Sequence, residues 1–327
     1  MAIVLETWSN RRLSVFLGVL ALFELVCFLL GGLISPNPNM VQTVSATVCI
    51  DESKDTSKWF TAIDPATRCK AFNNMDEATA HMKDLSADMI VFTFELPLPR
   101  DGERLKMSRW FQGMMGMLSL DINYKQDNPF QPGAVLHMDA RLGGRMANEK
   151  QWHELGRTEV GSLSAQRPVQ CHIDREESDW PYDCDLIPLF EQGSIYYDYY
   201  AVNIRIPQSE DWKLGHLVGM NLHVIHPTGG FTAVFWGLKT ALFVMLLLCL
   251  AWAGRRAYVA SSVRGPRISL LQRMLLALGV AISILNFPID WLSLVTSTPF
   301  MVFYSDLRQG AFYTFLMAFW LVFAGMY

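Results

Sequence analysis

Much of the usual vocabulary of enzymes is missing from these 327 residues. No glycine-rich loop of the phosphate-cradling kind occurs, so nothing points to nucleotide chemistry. The Gly-x-Ser-x-Gly elbow of serine hydrolases and the Cys-x-x-Cys pair of redox domains are also absent. There is no Asn-x-Ser/Thr triplet (x not Pro), so no N-glycan is expected. Internal repeats and low-complexity stretches are lacking, which removes solenoids and disordered tails from consideration. One absence is local: residues 254–273 hold five arginines (Arg255, Arg256, Arg264, Arg267, Arg273) and no acid.

What is present is hydrophobic: 51% of the chain. The net charge of −4 conceals an asymmetry. Residues 35–230 carry 18 Lys+Arg against 27 Asp+Glu, a balance of −9; the remainder carries 9 against 4, a balance of +5. An acidic polar region is thus joined to a basic-flanked apolar one, and a partner of the polar region should be basic rather than nucleic acid.

Four apolar runs are long enough to cross about 30 Å of hydrocarbon. The expected order is a cytoplasmic N-terminus (1–12), a first span (13–34) and a large polar domain (35–230). A second span (231–253), a basic cytoplasmic loop (254–273) and a third span (274–295) follow. A lumenal loop (296–308) leads to a fourth span (309–327). Arg11 and Arg12 before the first run and the arginines of 254–273 place both flanks in the cytoplasm, and so the acidic domain in the lumen or outside the cell. The first run is read as a retained anchor rather than a cleaved signal, because Gly31-Gly32-Leu33-Ile34 makes a poor cleavage site. The 19 steps from Arg308 to Tyr327 cover about 28 Å, just enough to cross, and the chain reads as the first part of a longer membrane protein.

The polar domain reads as β. Residues 89–96, 118–124, 134–140, 199–206 and 217–225 are β-rich or alternate with period two, with Pro-Gly, Gly-Gly and Asp-Gly turns between them. A short helix is expected within 73–84. The fold class is therefore a multi-pass α-helical membrane protein with a lumenal antiparallel β-sandwich. Cys49, Cys69, Cys171 and Cys184 lie in this domain; an even count in an oxidising lumen predicts two disulfides. Three pairings are possible, and proximity favours Cys49–Cys69 with Cys171–Cys184.

Polar residues inside apolar runs are the functional candidates. Asp290 lies 17 residues, about 25 Å, above Arg273; Lys239 lies 16 residues, about 24 Å, above Arg255 on the antiparallel neighbour. Two readings stand level: an ion pair between them near the lumenal edge, with Asn286 one turn below Asp290 and within hydrogen-bonding reach of it, or Lys239 snorkelling to the headgroups while Asp290 caps a helix end. Pro288 should kink the third helix. Glu24 is deeper, about 18 Å past Arg12, with no visible counter-charge; a protonated interhelical bond is the simpler reading. Asp290 with Asp306 could form an intramembrane aspartyl dyad, but without a Gly-x-Gly-Asp stretch Asp306 reads better as a solvated partner of Arg308. On a strand His216 and His226 share a face while His223 points away, which argues against a metal site, and the three read as ordinary surface histidines rather than a pH sensor. No catalytic residue, cofactor or metal is expected.

Taken in order, several stretches resemble the Wntless (Evi/Sprinter) family of Wnt cargo receptors: Gly31 to Ile34, Lys58-Trp59-Phe60, Pro97-Leu98-Pro99, Trp110-Phe111-Gln112, Cys184-Asp185, Asn203-Ile204-Arg205 and Gly229-Gly230-Phe231-Thr232. The membrane part adds Asn286-x-Pro288-x-Asp290-Trp291 and Asp306-x-Arg308-Gln309-Gly310-x-Phe312-Tyr313. The resemblance implies a non-enzymatic receptor that binds acylated Wnt and escorts it through Golgi, endosomes and plasma membrane. It implies a lumenal domain related to the GOLD sandwich, and eight spans of which the later seven are arranged like a G-protein-coupled receptor. About four spans and a tyrosine-based endocytic signal, the part read by retrieval machinery, are expected beyond Tyr327. Glu24, Lys239, Asn286, Pro288, Asp290 and Trp291 are then candidates for intramembrane polar positions or the rim of an acyl cavity, and Asp306, Arg308 and Gln309 form a motif of the lumenal loop and fourth helix. A GOLD-domain receptor for other cargo, or an ion channel or transporter motivated by Glu24 and Asp290, is the rival reading.

Overall fold

The computed structural model describes residues 9–34, 37–52, 58–62, 69–72, 75–81, 89–100, 103–155, 165–206, 213–264, 270–296 and 300–325. Arg267, Tyr327 and the ends of the helix expected within 73–84 lie outside them.

Helix α1 (Asn10–Leu29), continued by a wider turn over Leu30–Ile34, leads into the β domain. A four-stranded sheet has the order β1 (Asn39–Ser45), β13 (His216–Pro227), β5 (Met114–Asn123), β11 (Ile187–Gln192), antiparallel throughout. The second sheet runs β3 (Ala71–Phe72), β2 (Thr47–Ile50), β4 (Ile90–Leu96), β12 (Tyr199–Arg205), β6 (Val135–Arg145), β7 (His153–Glu154), with β8 (Ala165–Pro168) also on β6. A small hairpin, β9 (Cys171–His172) with β10 (Asp183–Cys184), and helix α2 (Met75–His81) complete the domain.

Period-two patterning builds the sandwich. On β5, Met114, Leu118, Leu120 and Ile122 are buried, while Met115 and Asp121 are exposed. They meet Phe92, Phe94, Val202, Ile204, Leu136 and Leu142 from the other sheet in one core. The expected strands are all present: Ile90–Leu96 and Tyr199–Arg205 are each one residue shorter than expected, and the other three extend to Met114–Asn123, Val135–Arg145 and His216–Pro227. The shorter strands, two to four residues each, carry too little pattern to be read without their partners.

Cys49–Cys69 and Cys171–Cys184 are the two bridges, while Cys27 and Cys249 are free. The second joins directly opposed residues of β9 and β10.

The chain enters and leaves the domain side by side. Asn39 pairs with Pro227, the Thr228 amide donates to the Pro38 carbonyl at 3.0 Å, and the Thr228 hydroxyl to the Asn37 carbonyl. That pin puts the start of α3 (Gly229–Arg264) beside Asn37 and Pro38, where the chain enters the domain. Helices α4 (Leu270–Leu285) and α5 (Met301–Ala324) follow. Among the described residues, four segments are long and apolar enough to cross a membrane: Asn10–Leu33, Gly229–Arg256, Arg273–Leu294 and Phe303–Ala324.

Three expectations need correction here. Much of the expected basic loop is helix, because α3 continues to Arg264. The third apolar run is broken rather than kinked: α4 stops at Leu285 and a 3₁₀ segment, Ile289–Leu294, resumes after Pro288. Proline denies its amide to the ladder and crowds the preceding turn, and two residues before it are given up as well. The fourth helix starts at Met301, so Asp306 and Arg308 lie within helix and not in a loop.

Candidate functional site at the domain junction

The break in the third apolar run creates the site. Because α4 ends at Leu285, the Phe287 carbonyl lies outside the helical ladder and accepts from the Ile289 amide at 2.9 Å and the Arg308 guanidinium at 3.2 Å. Asn286 uses its side chain locally, donating to the Ile282 carbonyl at 2.9 Å, and not to Asp290 as expected; once the helix ends, residues four apart no longer share a face.

Asp290 sits at the centre. One carboxylate oxygen receives the Lys239 ammonium and the other faces Arg308 at 3.5 Å. The depth argument placed Lys239 and Asp290 at one height, and the side chains meet. It missed Arg308, only 6% exposed, which turns inward to this carboxylate instead of pairing with Asp306. Asp306 and Gln309 stay on the exposed side of α5, so no Asp290–Asp306 dyad forms. Glu24 lies on the exposed surface of α1, outside the triad. One anion facing two cations leaves a local +1, with each side chain at most 14% exposed.

Above the triad stand three tryptophans. Trp110 lies 5.6 Å from Trp236 and 5.8 Å from Trp291, and Trp236 lies 5.5 Å from Trp291, all centroid to centroid. The Trp291 indole donates to the Thr240 hydroxyl at 3.1 Å, which donates in turn to the Trp236 carbonyl at 2.8 Å. Trp110 belongs to the β domain, in a 3₁₀ turn over Arg109–Phe111 capped by Ser108. Its neighbours reach the same junction: Arg109 donates to the Leu294 carbonyl at 2.9 Å, and Phe111 stacks on buried His226 at 4.2 Å.

Between sheet and helices lies a cleft of about 320 Å³. Gln112 to Met115 and Glu191 to Gly193 form one wall with Ile225, and Trp236, Asp290, Ser293, Met301 and Ser305 form the other. The volume falls at the lower end of small-molecule sites. Methionines on both sides make a lining that adapts to flexible apolar guests. Asp290 opens onto this cleft, held by Lys239 and Arg308, while Asn286, Pro288 and Trp291 do not line it.

The three histidines do not converge. A bulge between Leu217 and Gly219 on β13 reverses the parity of the strand, so His216 and His223 face outward while His226 is buried, contrary to the expectation that His216 and His226 share a face and that all three lie on the surface. His216 meets Asp76 at 3.3 Å and His223 meets the Thr43 hydroxyl at 3.0 Å. Sequence reasoning passed over Arg109 and Trp236, and weighed His226 only together with His216 and His223. The Arg-Trp-Phe run before a strand was the visible signal, but its partners are distant in sequence.

Comparison with known proteins follows this division of the chain. Residues 47–227 match the family model "Wntless, GOLD domain", and residues 228–326 match "Wntless-like, transmembrane domain". Protein wntless of Drosophila grimshawi is 38% identical over 335 residues, covering 98% of this chain and 58% of that protein. The protein wntless homologs of Caenorhabditis elegans and Homo sapiens are 36% and 32% identical, each again over 98% of this chain and over 59% and 58% of their own lengths. The chain thus spans a little under three fifths of these relatives. A GOLD sandwich joined to apolar helices, matched in both parts and in order, makes this multi-pass membrane protein a member of the Wntless family.

Proposed function

We propose that the chain acts in Wnt secretion as a non-catalytic cargo receptor, binding acylated Wnt in the secretory pathway and escorting it to the cell surface. The observation that carries this reading is family membership across both the GOLD and the transmembrane parts. The cleft at their junction supports it, since its methionine- and tryptophan-lined walls suit an acyl chain. Each buried methylene gains about 0.8 kcal/mol, so even a short stretch of chain adds substantially to affinity. The β domain faces the lumen and the N-terminus the cytoplasm, an orientation supported by the arginine flanks. Its charge of −9 over residues 35–230 steers a basic cargo and mainly raises the association rate. The protein resides in Golgi, endosomes and plasma membrane, with membrane lipids and retrieval machinery as further partners.

Pulldown from detergent tests the reading. The chain should retain acylated Wnt and lose it when the acylated serine of the cargo is replaced. Equal retention of both forms would remove the acyl chain from the mechanism.

A further inference from the structure

Arg109 and Trp110 touch the membrane segments without lining the cleft, and Phe111 beside them stacks on His226 of β13; the four residues that follow, Gln112 to Met115, are part of the cleft wall. Between the two groups the backbone is strained. Gln112 has φ 57° and ψ −55°, and the Gly113 amide donates to the Phe111 carbonyl at 2.5 Å. This is a γ-turn of the rare hand, a conformation that a residue with a side chain holds only when its surroundings enforce it. Directly beyond it, a Cβ at Gly113 would stand 2.6 Å from the Gln192 carbonyl oxygen on the adjoining wall, so the two wall segments are in tight contact.

What enforces the turn is visible. Trp110 is held between Trp236 of α3 and Trp291 of the 3₁₀ segment, Arg109 is tied to the Leu294 carbonyl and lies 4.9 Å over the Tyr196 ring, and Phe111 is stacked on His226. We propose that the Arg109–Phe111 turn is a positioning clasp: by docking on α3 and the 3₁₀ segment it fixes the β domain over the helices and sets the width of the cargo cleft, with no contact of its own to cargo. The inference rests on the receptor reading above for its cargo assay, but the clasp itself is a statement about geometry.

A covalent substitute separates positioning from direct contact. A Cβ on Gly229, the first residue of α3, would stand 3.2 Å from the Trp110 Cβ. That is a few tenths of an ångström inside the usual range for a disulfide. In the membrane-inserted chain, Trp110→Ala should lower retention of acylated Wnt at least tenfold. The double variant W110C/G229C, oxidised, should recover to within about threefold of wild type; the same preparation reduced should bind no better than W110A. Hydrogen exchange supplies the readout without cargo: amides of Gln112 to Met115 should exchange at least tenfold faster in W110A and in the reduced pair, with those of β4 and β12 unchanged.

Retention by W110A equal to wild type overturns the clasp. So does an oxidised pair, cross-linked and folded, that stays as weak as W110A, because Trp110 would then act other than by position. If W110A fails to insert, the oxidised and reduced forms of the double variant decide alone. A wild-type chain that retains no acylated Wnt refutes the receptor reading instead; wild-type exchange rates over Gln112 to Met115 in W110A would still overturn the clasp.

Discussion

Asp290 is one carboxylate between two cations, and that asymmetry decides what its substitution does. Lys239→Met leaves Asp290 neutralised by Arg308, whereas Asp290→Asn leaves two nearly buried cations with no anion. Breaking a buried pair costs about 3–5 kcal/mol when a charge is stranded. Asp290→Asn should therefore lower the thermal midpoint of the detergent-solubilised chain well below that of Lys239→Met. The exchanged pair, Lys239→Asp with Asp290→Lys, should not restore it, because the new lysine would face Arg308. Full rescue by the exchange would show that Arg308 takes no part. Tyr200 offers a second test within the β domain. Burial raises its pKa from 10 to about 12, against the opposing effect of the Tyr197 and Tyr196 amides that donate to its hydroxyl. The unfolded chain loses this proton near pH 10 while the folded one keeps it, so stability is full below pH 10 and falls as pH rises towards 12. At 1.36 kcal/mol per unit the loss approaches about 3 kcal/mol. Denaturant midpoints followed from pH 9 to 12 should show this limb, and Tyr200→Phe should flatten it.

At the scale of elements, the interrupted third span organises the junction. Its break frees the Phe287 carbonyl for Arg308, and the following 3₁₀ segment places Asp290, Trp291 and Leu294 towards three different partners. Pro288→Ala permits α4 to continue, and a continuous α-helix, at 100° per residue, cannot keep all three in place. The variant should gain helicity, by circular dichroism, while losing the Trp291 contacts, seen as a shift in tryptophan emission. Unchanged emission with increased helicity would show that the break is not needed for the cluster. Strand β13 illustrates the same dependence: one bulge reverses which histidine is buried, and no period count could have found it.

At the scale of the molecule, two ties between the β domain and the helices stand out among the described residues, and they differ in kind. The first is the chain itself, where β1 and β13 run side by side into α1 and α3, pinned by Thr228. The second is the Arg109–Phe111 turn, an outlying point of the sandwich that reaches back to the helices. A domain held only at its paired termini could swing about them; a second attachment removes that freedom and gives the cleft between sheet and helices a defined shape. The strain at Gln112 sits where the second tie becomes cleft wall, which is where a shape requirement would concentrate it.

Local chemistry alone determined the four apolar spans, the acidic β domain between the first and second, the major strands and the shared depth of Lys239 and Asp290. Each of these follows from a period, a length or a charge count that neighbouring residues display together. The order of Trp110-Phe111-Gln112, Asn286-x-Pro288-x-Asp290-Trp291 and the stretches between them also carried the family resemblance. Tertiary structure decided the rest. Arg308 became the third charge because the fourth helix starts at Met301 and turns it towards a carbonyl left outside the helical ladder where α4 ends. Trp110 and Trp236 lie 126 positions apart and meet only once the sandwich is closed and seated on the helices. Contacts of that kind depend on how whole elements come to rest against one another, and no window along the chain contains both partners.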